Sequence, residues 1–288
     1  MDAVTCHQYR MRQENLEKDL KDLGGISPPK SASEFEMFSL KEKHVVSFSE
    51  VRRFIESQEW LGNVPSRVSH TFVALWRGRL AGAVLMTSPH QHSKILDLPN
   101  SEKLERLIAR GACISWSPKN LASRLIGHSL RWMVQNTPYR VFTAYCDPEA
   151  GELGSIYQAC NAKYLGNTFG ASRSYCIPEK EPKEWFSSRR FTTLHTTKKV
   201  AQEWGVFWNP EWNDQTTILW DRIPSETQEN IKTALLLHKE SAVGVNRALK
   251  HKYAWILGKN KKETGDLTKK ILVPLLPYPK VRGDMKKY

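Results

Sequence analysis

The chain has 288 residues and a formal charge of +13, from 43 Lys and Arg against 30 Asp and Glu. With 40% hydrophobic and 25% charged residues it has the material for a full core, which excludes a disordered tail or a fibre. No apolar run reaches the ~18 residues of a membrane span, and the polar stretch Met1–Lys21 lacks the apolar segment of a secretion signal.

In chain order, residues 1–44 read as a polar leader with one short helix from Asn15 to Leu23, ended by Gly24-Gly25 and Pro28-Pro29. Residues 45–62 read as a helix, with Ser49 as N-cap and Val51, Phe54 and Ile55 on one face. A β-hairpin follows: 70–76 go out, Arg77-Gly78-Arg79 turn, and 80–86 return. Leu104–Trp116 is strand-like, Ser117–Asn120 a turn, and Leu121–Val134 an amphipathic helix with Leu125, Leu130 and Met133 on its apolar side. Tyr139–Tyr145 reads as a strand broken by Asp147-Pro148. Glu152–Asn161 reads as a helix, and Ser172–Ile177 as the last strand. The alternation over 45–180 predicts an α/β (α+β) domain with a mixed sheet.

Past 180 the texture changes. Trp185, Trp204, Trp208, Trp212 and Trp220 fall close together, and Lys239–Tyr288 carries 13 Lys and Arg against four acids. A basic excess of this kind suits a polyanion, with nucleic acid the leading candidate. The region 181–288 is accordingly expected to form a Trp-rich, basic extension that contacts DNA. The alternative for the tail is a solubilising segment, and for the tryptophans a small accessory core. The five cysteines, Cys6, Cys113, Cys146, Cys160 and Cys176, are odd in number and contain no CxxC pair. That pattern argues against a disulfide framework or a standard zinc site, and for a reducing cytoplasm.

The element order, with a turn running into a helix after the middle strand, resembles the GNAT acyltransferase fold. In that fold two strands splay apart beside the turn, and the helix start holds the pyrophosphate of acyl-CoA. The segment "RGACISWSPKNLASRLIGHSLRWM" followed by "YCDPEAGELGSIYQACNAKYLGNT" is more narrowly similar to the Mom family of phage DNA-modification proteins. So is the tail, in "LGKNK" and "LPYPK". The resemblance implies a transferase that places a carbamoylmethyl (methylcarbamoyl) group on N6 of adenine in double-stranded DNA and so shields the DNA from restriction. It implies a small-molecule group donor, acyl-CoA or a related compound, a link to iron, and a bacterial host cytoplasm if phage-encoded. Another amine acceptor, on a hypermodified base or a protein, and an inactive DNA-binding protein are the alternatives.

Under this resemblance the donor cradle is Lys119, Asn120, Leu121, Ala122, Ser123 and Arg124. It departs from the GNAT loop in having no glycine. Residues alone make Asp147 a turn former or helix cap; the resemblance favours a base or orienting acceptor for the N6 hydrogens. Arg110 is expected to bind the donor carbonyl or a phosphate, or else to form a surface ion pair. Ser123 is a donor to the same group or an ordinary first-turn residue. Tyr157, on the inward face of its helix, is either a core tyrosine or, by the resemblance, the acid that protonates a departing thiolate. Cys160 reads as packing. No metal-ligand set is evident; His90 and His92 read as a solvated loop rather than co-ligands. The tryptophans from 204 to 220 are candidates for a wall or wedge against an extruded base.

Overall fold

The computed structural model describes residues 6–89, 93–168, 173–178, 185–215 and 217–279. It divides into two compact units: 1–169 together with 249–288, and the inserted segment 170–248.

The first unit opens with helix α1 (His7–Lys21) and edge strand β1 (Glu36–Ser39). Helix α2 (Phe48–Gln58) starts at a capping box in which Ser47 accepts from the Glu50 N–H and Glu50 accepts from the Ser47 N–H. The cap is Ser47 rather than Ser49 because this reciprocal pair leaves Ser49 inside the first turn. Strands β2 (His70–Trp76) and β3 (Arg79–Thr87) form the expected hairpin, and β4 (Glu105–Cys113), helix α3 (Leu121–Asn136) and β5 (Val141–Cys146) follow. Helix α4 is only Ser155–Ala159, shorter than predicted because Gly154 enters it in the left-handed region at φ 70°. Strand β6 (Lys163–Asn167) comes next.

The second unit holds strands β7 (Arg173–Cys176) and β8 (Phe186–Ser187), helix α5 (Leu194–Glu203), the short pair β9 (Asn213–Asp214) and β10 (Thr217–Ile218), helix α6 (Ser225–Glu240) and β11 (Val243–Asn246). β7 lies between β11 and β8 in a three-stranded sheet, so the strand expected at 172–177 does not close the central sheet. Ala201, Trp208, Ile223 and Ile231 form this unit's core, with Trp212 and Trp220 packed on it. Those three tryptophans are therefore accessory core. Trp185 and Trp204 are exposed.

The chain then returns to the first unit as β12 (His251–Ile256) and helix α7 (Lys261–Thr268). The central sheet has the order β1-β2-β3-β4-β5-β12-β6, and every neighbouring pair is antiparallel except β4 and β5. The domain boundaries expected at 45 and 180 thus shift. Leu23, Ala32 and Phe35 from the supposed leader are buried in the core, and β12 from the supposed extension is buried between β5 and β6. Charge separates along the same line: unit 170–248 has eleven Lys and Arg against ten Asp and Glu, so nearly all the positive excess belongs to the first unit. No helix among the described residues is long and apolar enough to cross a membrane.

Candidate active site

The parallel pair β4 and β5 is joined only at its beginning, where Glu105, Arg106 and Leu107 face Val141, Phe142 and Thr143. The buried Glu105 carboxylate pins that end by accepting from Ser93 N and Oγ and from Thr143 Oγ1. Beyond it β4 stays with β3 and β5 with β12, so the two strands diverge. This is the splay that the fold resemblance implies.

Two consecutive residues at the end of α2 bridge the gap. Glu59 is buried, with Oε2 3.2 Å from Arg110 Nε on β4. Trp60 Nε1 donates to Glu152 Oε1 at 2.8 Å, just past the end of β5. Glu152 Oε2 in turn accepts from the Asp147 N–H at 3.0 Å. The stretch 58–60 is held by α1: Gln8 Nε2 donates to the Gln58 carbonyl, the Trp60 N–H donates to Gln8 Oε1, and His7 meets the Trp60 ring edge-on. Deeper, buried Asp19 accepts from Gln58 Nε2, Ser115 N and Ser115 Oγ, which ties α1 and α2 to the turn before α3. Arg12 donates to the Ser115 and Ser117 carbonyls of that turn.

Burial pushes the Glu59 carboxyl up to about 7; the nearby Glu152 charge adds to this and Arg110 opposes it. Oε2 takes no hydrogen bond, because Arg110 directs its Nε and Nη2 to the carbonyl and Oδ1 of Asn63 and its Nη1 to the Ala109 carbonyl. Tyr157, on α4, packs against Tyr253 and edge-on against Trp255. Its phenol is pushed well above its ordinary value, first by burial and then by Cys146, Glu152 and Glu59. The turn into α4 requires glycine: a Cβ on Gly154 would sit 2.4 Å from the Tyr253 ring.

The structure therefore brings Arg110 to Glu59 and the backbone of Asp147 to Glu152, while the Tyr157 ring packs on Tyr253 and Trp255. The Asp147 side chain is engaged elsewhere: Oδ1 accepts from the Glu149 N–H at 3.0 Å, and Oδ2 lies 3.6 Å from Lys250 Nζ. Ser123 stands on α3, its Oγ donating to the Asn120 carbonyl, and its own carbonyl lies 3.6 Å from the Sγ of Cys160, the residue after α4. In the cradle, Lys119 and Asn120 are exposed, and the Asn120 side chain makes no capping bond. Among the described residues the Ala122 and Ser123 N–H groups have no backbone partner, as suits a phosphate. Leu121 is fully buried, with its N–H on the Pro118 carbonyl, and the Arg124 guanidinium is committed to the Ala32 carbonyl. Burial pushes the Cys113 and Cys160 thiols up to about 12 and about 11, which leaves them poor nucleophiles.

Glu59, Trp60 and Glu152 were not singled out by sequence reasoning. Nothing local marks a glutamate at a helix end as buried; the only signal was that Glu152 belongs to the motif stretch. The described residues do not fit an iron centre, since no three His, Cys, Asp or Glu side chains gather at ligand spacing among them. His90 and His92 lie outside the described residues.

A mixed sheet with one splayed parallel pair, and a helix start beside the splay, makes this a GNAT-like fold. The model of the Mom protein family matches residues 43–207, more than half of the sequence, and the chain belongs to that family. No curated protein sequence matches it. Similar solved structures include the ribosomal L7/L12 alpha-N-protein acetyltransferase RimL, 9% identical over 81% of this chain and 98% of that one, with a TM-score of 0.35. The ribosomal-protein-S5-alanine acetyltransferase from Vibrio fischeri is 16% identical over 58% of this chain and 77% of its own, with a TM-score of 0.28. An N-acetyltransferase from Staphylococcus aureus Mu50 is 19% identical, with a TM-score of 0.27; the match covers 40% of this chain and 61% of that enzyme's length.

Proposed function

We propose that this protein transfers a carbamoylmethyl or related acyl-type group to N6 of adenine in double-stranded DNA, protecting the DNA from restriction. The family assignment supports a DNA-modifying transferase, and the charge of the first unit supports a polyanionic substrate. The observation that carries the reading is the buried Glu59, its Oε2 3.2 Å from Arg110 Nε on β4 where that strand has parted from β5; burial there pushes its carboxyl up to about 7 and the Tyr157 phenol well above its ordinary value. Two titratable groups held far apart in pKa are what acid–base transfer at neutral pH needs.

The adenine must leave the duplex, at a cost of about a few kcal/mol, to reach this gap. Glu59 as carboxylate accepts a proton from N6 while the nitrogen forms its bond to the donor carbon. The bond from that carbon to the leaving atom breaks, and Tyr157, protonated across the neutral range, gives its proton to the leaving atom. Arg110 and Asn63 position Glu59. Asp147 positions Glu152 through its backbone and the turn that its side chain caps. A phosphate-bearing donor of the acyl-CoA type is held at Lys119, Asn120 and the first turn of α3.

The test is nucleoside mass analysis of DNA from bacteria making the protein. Deoxyadenosine of raised mass, lost with Glu59→Gln, is the expected result. Ordinary bases beside soluble, folded protein refute the reading, and label transfer to a protein amine instead redirects it to another acceptor.

A further inference from the structure

A base that leaves the duplex leaves a gap in the stack, and an apolar side chain that fills the gap keeps the base out. Trp208, Trp212 and Trp220, candidates for that part in the sequence, are packed into the accessory core. Trp204 is exposed but lies in the inserted unit, whose eleven Lys and Arg are balanced by ten acids. The basic first unit offers another side chain, two positions from Glu59.

The chain leaves α2 through a β-turn, Glu59-Trp60-Leu61-Gly62, closed by the Gly62 N–H on the Glu59 carbonyl at 2.9 Å. Gly62 takes the left-handed φ of 57° that ends the turn. Of the two central side chains, Trp60 is committed to its neighbours through Glu152 and His7. Leu61 is 37% exposed and belongs to no apolar cluster among the described residues. Single exposed leucines are common on protein surfaces and need no explanation in themselves. This one is held in place without being buried. Asn63 Nδ2 donates to the Leu61 carbonyl at 3.1 Å, and Asn63 Oδ1 in turn accepts from Arg110 Nη2 at 2.6 Å. An apolar tip braced in this way has already given up the freedom that insertion would cost it. Arg67, further along the same connection to β2, is exposed and forms no ion pair among the described residues, which supplies a cation for a backbone phosphate.

We propose that Leu61 is the wedge of this enzyme: it enters the base stack where the target adenine leaves, and keeps the ring out beside Glu59. The ends of a β-turn lie within about 7 Å of each other, so one turn supplies both the carboxyl for N6 and the side chain for the vacated space. The assignment rests on the DNA-modification reading of the same site and names the residue that opens the substrate.

Two duplexes and the full-length protein test it. One duplex has every adenine paired with thymine; the other has an abasic position opposite the adenine that is modified, where extrusion costs less. Leu61→Ala should slow modification of the paired adenine at least about tenfold and of the unpaired one less than about twofold, with an unchanged melting temperature. Leu61→Phe, another apolar wedge, should restore the paired rate. Extrusion is read apart from transfer with 2-aminopurine, which brightens on leaving the stack, in place of each adenine in turn. The wild type should brighten one position and Leu61→Ala should not. Brightening that requires Leu61, with no modified nucleoside formed, upholds the wedge and refutes the transfer reading. Equal losses on the two duplexes, no loss on the paired one, no brightening by the wild type, or equal brightening by Leu61→Ala overturns the inference.

Discussion

Glu59 Oε2 lies 3.2 Å from Arg110 Nε yet receives no hydrogen bond from it, since the guanidinium directs its N–H groups to Asn63 and to the Ala109 carbonyl. The carboxyl group thus keeps a nearby counter-charge while one of its oxygens, buried, has no hydrogen-bond partner. For a proton acceptor this is a useful state; for a purely structural ion pair it is a poor one. Glu59→Gln keeps the shape and removes the base. The rate of DNA modification should fall by roughly 10²-fold or more. In the wild type the rate should rise with pH through about 7, the value to which burial lifts this carboxyl. In the variant that limb should disappear. Initial rates across a pH series measure both.

The same group makes stability depend on pH. The folded carboxyl holds its proton up to about 7, above the ordinary value of 4.5, so between these values the folded state binds more protons than the unfolded one. Its contribution is fully present below pH 4.5 and is lost as pH rises through about 7. Denaturant melts should show Glu59→Gln gaining on the wild type over that window, by at most roughly 3 kcal/mol.

Asp147 should act by position. Asp147→Asn retains an acceptor for the Glu149 N–H and gives up only the partly exposed pair with Lys250. Modification should stay within about threefold of wild type, since exposed pairs contribute little. Asp147→Ala removes the cap, costs about 1 kcal/mol, and loosens the turn that presents Glu152. Equal, large losses of activity in both variants would instead make the carboxylate itself the reacting group.

Asp19 tests the helix that reads as a polar leader. Its buried carboxylate collects donors from Gln58 and Ser115. Asp19→Ala strands them, at a cost of about 1–3 kcal/mol. A lower melting temperature is expected, together with slower modification, because Gln58 adjoins Glu59. An unchanged melt would show that the network contributes nothing.

The basic tail is best tested by substitution, since truncation at 239 removes β12 from the sheet. Lys259, Lys261, Lys262, Lys269 and Lys270 are all exposed. Replacing all five by Gln should weaken duplex DNA binding and lower the slope of log K against log salt by up to about 0.9 for each phosphate that is no longer neutralised. An identical slope would exclude the tail from the interface.

What the sequence displays is local. The hairpin of β2 and β3, the strands β4 and β5 and the amphipathic α3 each carry their own period, and each lies within a few residues of the prediction. β12 was hidden because its apolar run, Tyr253–Ile256, sits in a lysine-rich stretch whose charge dominates any composition count. The turn before α3, where the proposed donor cradle lies, is likewise a local feature. Glu59 does not follow from anything nearby: its burial comes from α1 folding over the end of α2 and from Arg110, 51 positions further along the chain. Asp147 was legible as a turn residue, and its link to Glu152 came into view only with the fold.

The position of β12 has a consequence for biogenesis. The strand between β5 and β6 is the last of the seven to emerge during synthesis, after the whole of 170–248 has been made. Until then the half-finished sheet has an open slot, with the backbone edges of β5 and β6 unpaired and available to other chains. The inserted unit, compact in its own right, can mature in the interval. Ribosome-bound fragments ending before residue 251 should therefore hold a protease-resistant insert beside a protease-sensitive sheet, and the sheet should become resistant only when the missing strand slides in.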